Sequence, residues 1–260
     1  MQIYDKPTRE LMHEFAAQKL TLGQVFAPKD AVRWFAEHYP KIKSGTVQLH
    51  VAAMSVNNHT ERWHSPHIGP DKGWDLFFKL GVGQFRLWDP EKDPAPRYKA
   101  DLEADIAEGI TKADDIAEES VGDDDPGSRK FAFERDLQNY LVQNLGLLEP
   151  GLKLYEDEDG EFTGVEFPAG QRRIDILAVG ADGAYVVIET KVSRAYDRVV
   201  GQILRYIGWV KKNLAGEASV RGIIVASEIS DDLILATSSF EGVRLVEYEI
   251  SFSLKSVSGN

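Results

Sequence analysis

The chain has 260 residues, carries 42 Asp/Glu against 30 Lys/Arg for a net charge of −12, and contains no cysteine. That length supplies one large or two ordinary domains with ample core, while the lack of cysteine excludes disulfides and thiolate zinc sites and fits a reducing cytoplasm. The first residues, MQIYDKPTRELMHEF, hold no apolar signal core and no run approaches a membrane span, so a soluble cytoplasmic protein is expected, without a membrane partner. Acidity argues against a nucleic-acid partner, but it is unevenly spread. Residues 1–88 carry +3, residues 89–127 carry −10 and residues 128–260 carry −5, so most of the excess belongs to a central segment.

Residues 1–88 read as three helices closed by a hairpin. Thr8 to Lys19 carries Leu11, Met12, Phe15 and Leu20 on one side. Pro28 and Asp30 start a second helix, with Ala31, Trp34, Phe35 and His38 at helical spacing until Pro40. A third begins near Gly45 and carries Val47, Leu49, Val51 and Met54 towards Asn57-Asn58. Asp75–Leu80 and Gln84–Trp88 then form strands around the turn Gly81-Val82-Gly83, which is no phosphate loop because no helix follows it. Helix, helix, helix, hairpin is the order of a winged helix, and the stretch is similar to winged-helix-type domains fused to restriction-like nucleases. On that reading the third helix is the recognition helix, and the loop after it lies beside nucleic acid. Asn57, Asn58, Arg62, Trp63 and His64 in that loop suit base-edge hydrogen bonding or stacking; an irregular solvated loop anchored by a tryptophan is the plainer alternative. His64 and His67 lack the neighbouring ligands of a metal site.

Residues 89–127 begin as a proline-punctuated spacer and continue acidic and alanine-rich, the composition of a flexible linker. Ser128 can cap a helix reaching Leu145, with Phe133, Leu137, Tyr140, Leu141 and Leu145 as its buried stripe. Leu152–Tyr155 and Phe162–Phe167 read as strands split by the acidic turn Glu156–Glu161.

The chemistry concentrates between Arg172 and Tyr206. Asp175 sits inside an apolar run, the turn Gly180-Ala181-Asp182-Gly183 follows, and Ala184–Ile188 leads into Glu189-Thr190-Lys191. Strand alternation puts Glu189 and Lys191 on one face with Tyr185 and Val187, and a hairpin brings Asp175 close to Glu189. Two carboxylates suit a hard divalent ion such as Mg²⁺ or Mn²⁺, with the Thr190 carbonyl as a third oxygen. A nearby lysine can act on the attacking water and offset charge on phosphorus, which is the need of phosphodiester hydrolysis. A structural salt bridge at a strand end is the bland alternative.

Asp175 and Glu189-Thr190-Lys191 resemble the D…(D/E)-x-K signature of the PD-(D/E)XK nuclease superfamily. The stretch from Phe133-Glu134-Arg135-Asp136-Leu137 through Leu148-Glu149-Pro150-Gly151-Leu152 to Gly201-Gln202-Ile203-Leu204-Arg205-Tyr206 resembles the C-terminal domain of NucS/EndoMS-type endonucleases. The usual Pro-Asp dipeptide is absent, since Ile174 precedes the aspartate. The resemblance implies an α/β restriction-endonuclease-like domain over residues 128–260, a mixed sheet flanked by helices. It also implies that Glu134 on the first helix and Gln202 on the helix after Lys191 serve the metal site. Tyr206 is expected against Lys191 or phosphate, while Arg172, Arg173, Arg194, Arg198 and Arg205 supply positive charge for a DNA backbone. The expectation is a metal-dependent DNA endonuclease on double-stranded DNA, of restriction or repair type, working as a homodimer. A DNA-binding regulator with a silent nuclease fold is the other class.

Overall fold

The computed structural model describes residues 3–58, 62, 67–101, 128–170, 172–195 and 198–251. Helices α1 (Thr8–Lys19), α2 (Pro28–His38) and α3 (Ser44–Ala53) precede the antiparallel hairpin β1 (Phe77–Gly81) and β2 (Gln84–Leu87), in the predicted order. Pro28 opens α2, and the Asp30 carboxylate accepts from the Ala27 N–H at 2.9 Å, closing the first turn. Phe15, Phe26, Trp34, Phe35, Phe77 and Phe85 fill the centre of this part. Phe26, between α1 and α2, exchanges both main-chain hydrogen bonds with Phe85 (2.8 and 2.9 Å), adding a third backbone segment to the hairpin.

Residues 89–101, expected as the start of a linker, are folded against the hairpin. Arg86 grips Asp93 through two bonds of 2.5 and 2.6 Å, Trp88 Nε1 donates to the Pro94 carbonyl, and Tyr98 donates to Asp75 at 2.7 Å. Pro90 opens a turn, and Pro94 and Pro96 lie in an irregular stretch that these bonds hold against the hairpin. The remainder of that linker, 102–127, lies outside the described residues.

The second half holds α4 (Ser128–Gln143), β3 (Lys153–Leu154), β4 (Val165–Ala169), β5 (Arg172–Val179), β6 (Tyr185–Ala195), α5 (Arg198–Val210), β7 (Val220–Ile229), α6 (Asp231–Thr237) and β8 (Val243–Glu247). The sheet runs β3-β5-β6-β7-β8, with β4 also on β5; β5 and β6 are antiparallel, and β6, β7 and β8 parallel. This is the expected mixed α/β sheet. Alternation assigns its faces: Ile176, Ala178, Val186, Ile188, Ile223 and Val225 pack with Leu137 and Leu141 of α4. Tyr185, Val187 and Ile224 belong to the core shared with Val199, Val200 and Ile203 of α5. Gly222 lets α5 lie close, since a Cβ there would sit 2.6 Å from Ile203 Cδ1. No helix among the described residues is long and apolar enough to cross a membrane.

The two halves are clamped together. Helix α3, SGTVQLHVAA, is buried on several sides, with Thr46 and His50 enclosed along with Val47, Leu49, Val51 and Ala53. Gly45 allows α3 to approach the π-helical turn Lys211–Ala215; a Cβ there would meet Leu214 Cδ2 at 2.7 Å. The acidic turn enters from the other side. Asp159 accepts from the Thr8 N–H at 2.7 Å, Glu158 from Thr46 Oγ1 at 3.2 Å, and Glu161 meets Arg9 at 2.9 Å and His50 at 3.0 Å. Phe162 presents its edge to His50 and Trp74. The third helix, expected to enter a DNA groove, is therefore packed between the N-terminal core and the nuclease-like half. Its polar side chains are taken up within the fold: Thr46 and His50 meet the acidic turn, and Gln48 donates to Asn213.

Candidate active site

The β5–β6 register pairs Ile176 with Ile188, and one further step along both strands sets Asp175 opposite Glu189. At that step the ladder gives way to side-chain bonding. The Thr190 N–H and Oγ1 both donate to Asp175 Oδ2, at 2.7 and 2.8 Å, and so hold the carboxylate at the strand end. Thr190 contributes its N–H and hydroxyl here, whereas sequence reasoning singled out its carbonyl.

Glu189 is fully buried, and Lys191 Nζ stands 3.0 Å from its Oε1, an ion pair rather than an aligned hydrogen bond. Its Oε2 has no hydrogen-bond partner among the described residues. Burial first, and the Asp175 charge second, push the Glu189 carboxyl well above the usual carboxylate range, against the opposing pull of Lys191. Burial would lower Lys191, but the charges of Glu189, Asp175 and Glu134 outweigh it and raise the ammonium above its ordinary value. Glu134 on α4 thus belongs to the electrostatic environment of Lys191.

An orphaned carboxylate oxygen in a dry site is costly unless something completes it. Two carboxylates fit a hard ion that keeps water and phosphate as its other ligands. Among the described residues no group of three or more His, Asp or Glu converges to hold an ion without such help.

Helix α5 covers the site. Gln202 Nε2 lies 3.4 Å from the Tyr206 hydroxyl, and Tyr206 is buried, its phenol pushed up to about 12 by burial and by the charge of Glu189. Tyr206 is therefore a wall of the site rather than an exposed contact. Arg198 and Arg205 are exposed on α5, Arg172 is half-buried, and Arg173 turns inward to donate to the Glu166 carbonyl at 2.6 Å. Arg194 lies on β6 opposite Glu228 of β7.

Sequence reasoning missed two residues. Gln138 on α4 donates to Glu166 Oε1 at 2.7 Å and to the main-chain oxygen of Asp175 at 2.6 Å. Burial, then the Asp175 charge, raises the Glu166 carboxyl. Both sat at positions that periodicity assigns to a helix and a strand with no further signal.

The N-terminal candidates are occupied within the fold. Asn57 exchanges two 2.8 Å bonds with the Lys79 backbone, and Asn58 donates to the Ala52 carbonyl while accepting from Lys79 Nζ. Arg62, expected in a solvated loop, is fully buried: it pairs with Asp75 at 2.6 Å and donates to the carbonyls of Ala53, Trp74 and Arg97. A guanidinium with five donors can close off the end of a helix and a loop at once, and that is its place here. Trp63 and His64 lie outside the described residues.

Residues 133–254 match the family described as "Endonuclease NucS C-terminal domain", and residues 7–87 match a domain of unknown function (DUF7669). The chain is 32% identical to an Endonuclease NucS of Bifidobacterium animalis subsp. lactis over 126 residues, 48% of this chain and 50% of that one. It is 31% identical to an Endonuclease NucS of Bifidobacterium longum over 184 residues, covering 70% of this chain and 65% of the relative. A solved repair endonuclease from Pyrococcus abyssi shares 27% identity over half of each chain at a TM-score of 0.37. An EndoMS–dsDNA complex shares 25% over 46% of each at 0.38. The chain spans half or less of the length of the first curated relatives it matches. The C-terminal half of this chain, residues 133–254, is thus a NucS-like domain of the restriction-endonuclease type.

Proposed function

We propose that this chain is a metal-dependent endonuclease that hydrolyses phosphodiester bonds in double-stranded DNA. The observation that carries the reading is the Glu189 carboxylate, fully buried, with one oxygen unpartnered among the described residues and Asp175 and Lys191 beside it. Asp175 and Glu189, with the Thr190 carbonyl, would hold Mg²⁺ or Mn²⁺. When bound, such an ion polarises the phosphoryl oxygen and acidifies water. Thr190 fixes the orientation of Asp175. Lys191 offers N–H donors to the attacking water and to the charge gathering on phosphorus. Glu134 sets the field around Lys191, and Tyr206 with Gln202 excludes bulk water from the α5 side. Arg198 and Arg205 line the approach of the phosphate backbone.

The N-terminal part is proposed as a winged-helix-like unit, supported by its element order and by the Phe26–Phe85 bridge that adds a third segment to the hairpin. With α3 facing the nuclease half, the hairpin carries the DNA contact, its tip residue Val82 being 80% exposed. The repair alternative is supported by the likeness to Endonuclease NucS. A homodimer would place two such sites for cutting both strands, which sedimentation with and without duplex tests.

The test is incubation of wild type, Asp175→Ala and Lys191→Ala with plasmid, mismatched duplex, modified duplex, single-stranded DNA and RNA, each with Mg²⁺, Mn²⁺ or EDTA. Metal-dependent scission lost in both variants is expected. Scission retained in both variants refutes the site, and DNA binding without scission on any substrate favours the regulator.

A further inference from the structure

The aspartate of the site is held by a residue that looks unrelated to it in sequence. Glu166 on β4 has φ +48°, in the left-handed region. A non-glycine residue adopts that conformation against steric strain, and glutamate has none of the local compensation that eases it for asparagine. The surrounding bonds hold it there. Arg173 Nη1 donates to the Glu166 carbonyl at 2.6 Å, and Gln138 Nε2 donates to Glu166 Oε1 at 2.7 Å.

The second proton of that same amide goes to the main-chain oxygen of Asp175 at 2.6 Å. Gln138 is buried, so its two donors need two acceptors, and Glu166 and Asp175 are those acceptors. One nitrogen therefore ties α4, β4 and β5 together at the residue that carries the carboxylate. On its other side Asp175 is gripped by the Thr190 N–H and hydroxyl. An ordinary β conformation at Glu166 would redirect its side chain and release one end of this bridge.

We propose that Glu166 is a positioning residue for Asp175: its left-handed backbone aims a carboxylate at Gln138, and the Gln138 amide fixes the β5 main chain so that Asp175 faces Glu189. The inference deepens the nuclease reading and rests on it only for its activity arm. The strain at Glu166 is then spent on the geometry of the site and not on stability, which distinguishes it from a merely structural contact.

Glu166→Gly relieves the backbone strain and removes the carboxylate, Glu166→Gln keeps an acceptor for Gln138, and Gln138→Leu breaks the bridge from the helix side. Hydrogen exchange at the Thr190 amide reads the position of Asp175 directly, since that N–H donates to its carboxylate. In Glu166→Gly and Gln138→Leu, Thr190 should exchange at least about tenfold faster while the Val187 and Ile188 amides keep wild-type protection. Glu166→Gly should also melt no lower than wild type, and titration with Mn²⁺ alone should show weaker binding. Turnover should fall at least about tenfold in Glu166→Gly with KM little changed, and Glu166→Gln should recover most of it. Wild-type protection of Thr190 in Glu166→Gly overturns the proposal. If the wild type cleaves no nucleic acid, the nuclease reading fails while Thr190 exchange still decides this one.

Discussion

Phe162→Ala tests whether the two halves are one mechanical unit. Phe162 belongs to the acidic turn of the nuclease-like half but is only 6% exposed, because its ring enters the N-terminal half. It lies edge-on 5.1 Å from His50 and 6.1 Å from Trp74, at interplanar angles of 79° and 88°. Truncating a buried phenylalanine costs about 3–5 kcal/mol, and each edge-to-face pair contributes about 0.5–1.5 kcal/mol of that beyond area. A loss of about 4 kcal/mol is a large share of the roughly 5–15 kcal/mol that holds a domain folded. With a urea m-value of about 2–3 kcal/mol/M for a protein of this size, the midpoint should fall by roughly 1.5–2 M. Urea unfolding followed by tryptophan fluorescence and by far-UV circular dichroism measures it. The two probes should coincide in the wild type and separate in the variant, because Trp74 loses its partner before the sheet melts. A midpoint shift below about 0.3 M with coincident probes would refute the clamp, since the m-value then implies under about 1 kcal/mol.

Arg62→Ala should cost about 3–5 kcal/mol, because it takes the partner from one Asp75 oxygen and from three carbonyls around a fully buried guanidinium; a change in melting temperature of only a degree or two would contradict that burial. In Gly164→Ala the new Cβ would fall 1.9 Å from the Leu177 carbonyl oxygen, a main-chain atom already accepting from the Tyr155 N–H, so about 3 kcal/mol or more should be lost. A variant of Gly164 melting like the wild type would show the approach to be looser. Burial pushes the Asp157 carboxyl up to about 6 from the usual aspartate value near 4. The folded state therefore holds that proton more tightly than the unfolded chain, so this group's contribution is lost as pH rises from about 4 through 6, by up to roughly 3 kcal/mol. Asp157→Asn keeps an acceptor for the Glu161 and Phe162 N–H groups and should flatten that part of the stability–pH curve. An unchanged slope in chemical denaturation between pH 4 and 6 would rule the effect out.

The β5–β6 hairpin was legible because alternation, a glycine-bounded turn and two interrupting carboxylates all point to one register. Asp175, Glu189 and Lys191 meet for that reason. The fate of α3 was legible too, in retrospect: Val47, Leu49, Val51 and Ala53 leave it apolar on opposite sides, and a helix of that kind is enclosed. Element order pointed to a winged helix and its recognition helix, which obscured that signal. The acidic turn reads as solvent-exposed by composition, yet its carboxylates are satisfied by a helix start, a threonine, an arginine and a histidine some 110–150 positions away in the chain. No local pattern encodes such partners. Glu166 falls between Val165 and Phe167 as an outward residue of a strand should, and its left-handed backbone leaves no trace in the letters.

Because side-chain contacts set where each half sits, the placement of one half on the other is written into single residues such as Gly45 and Phe162. Any inherited change there moves one half against the other, so natural variation in this chain should be sparse at those two contacts.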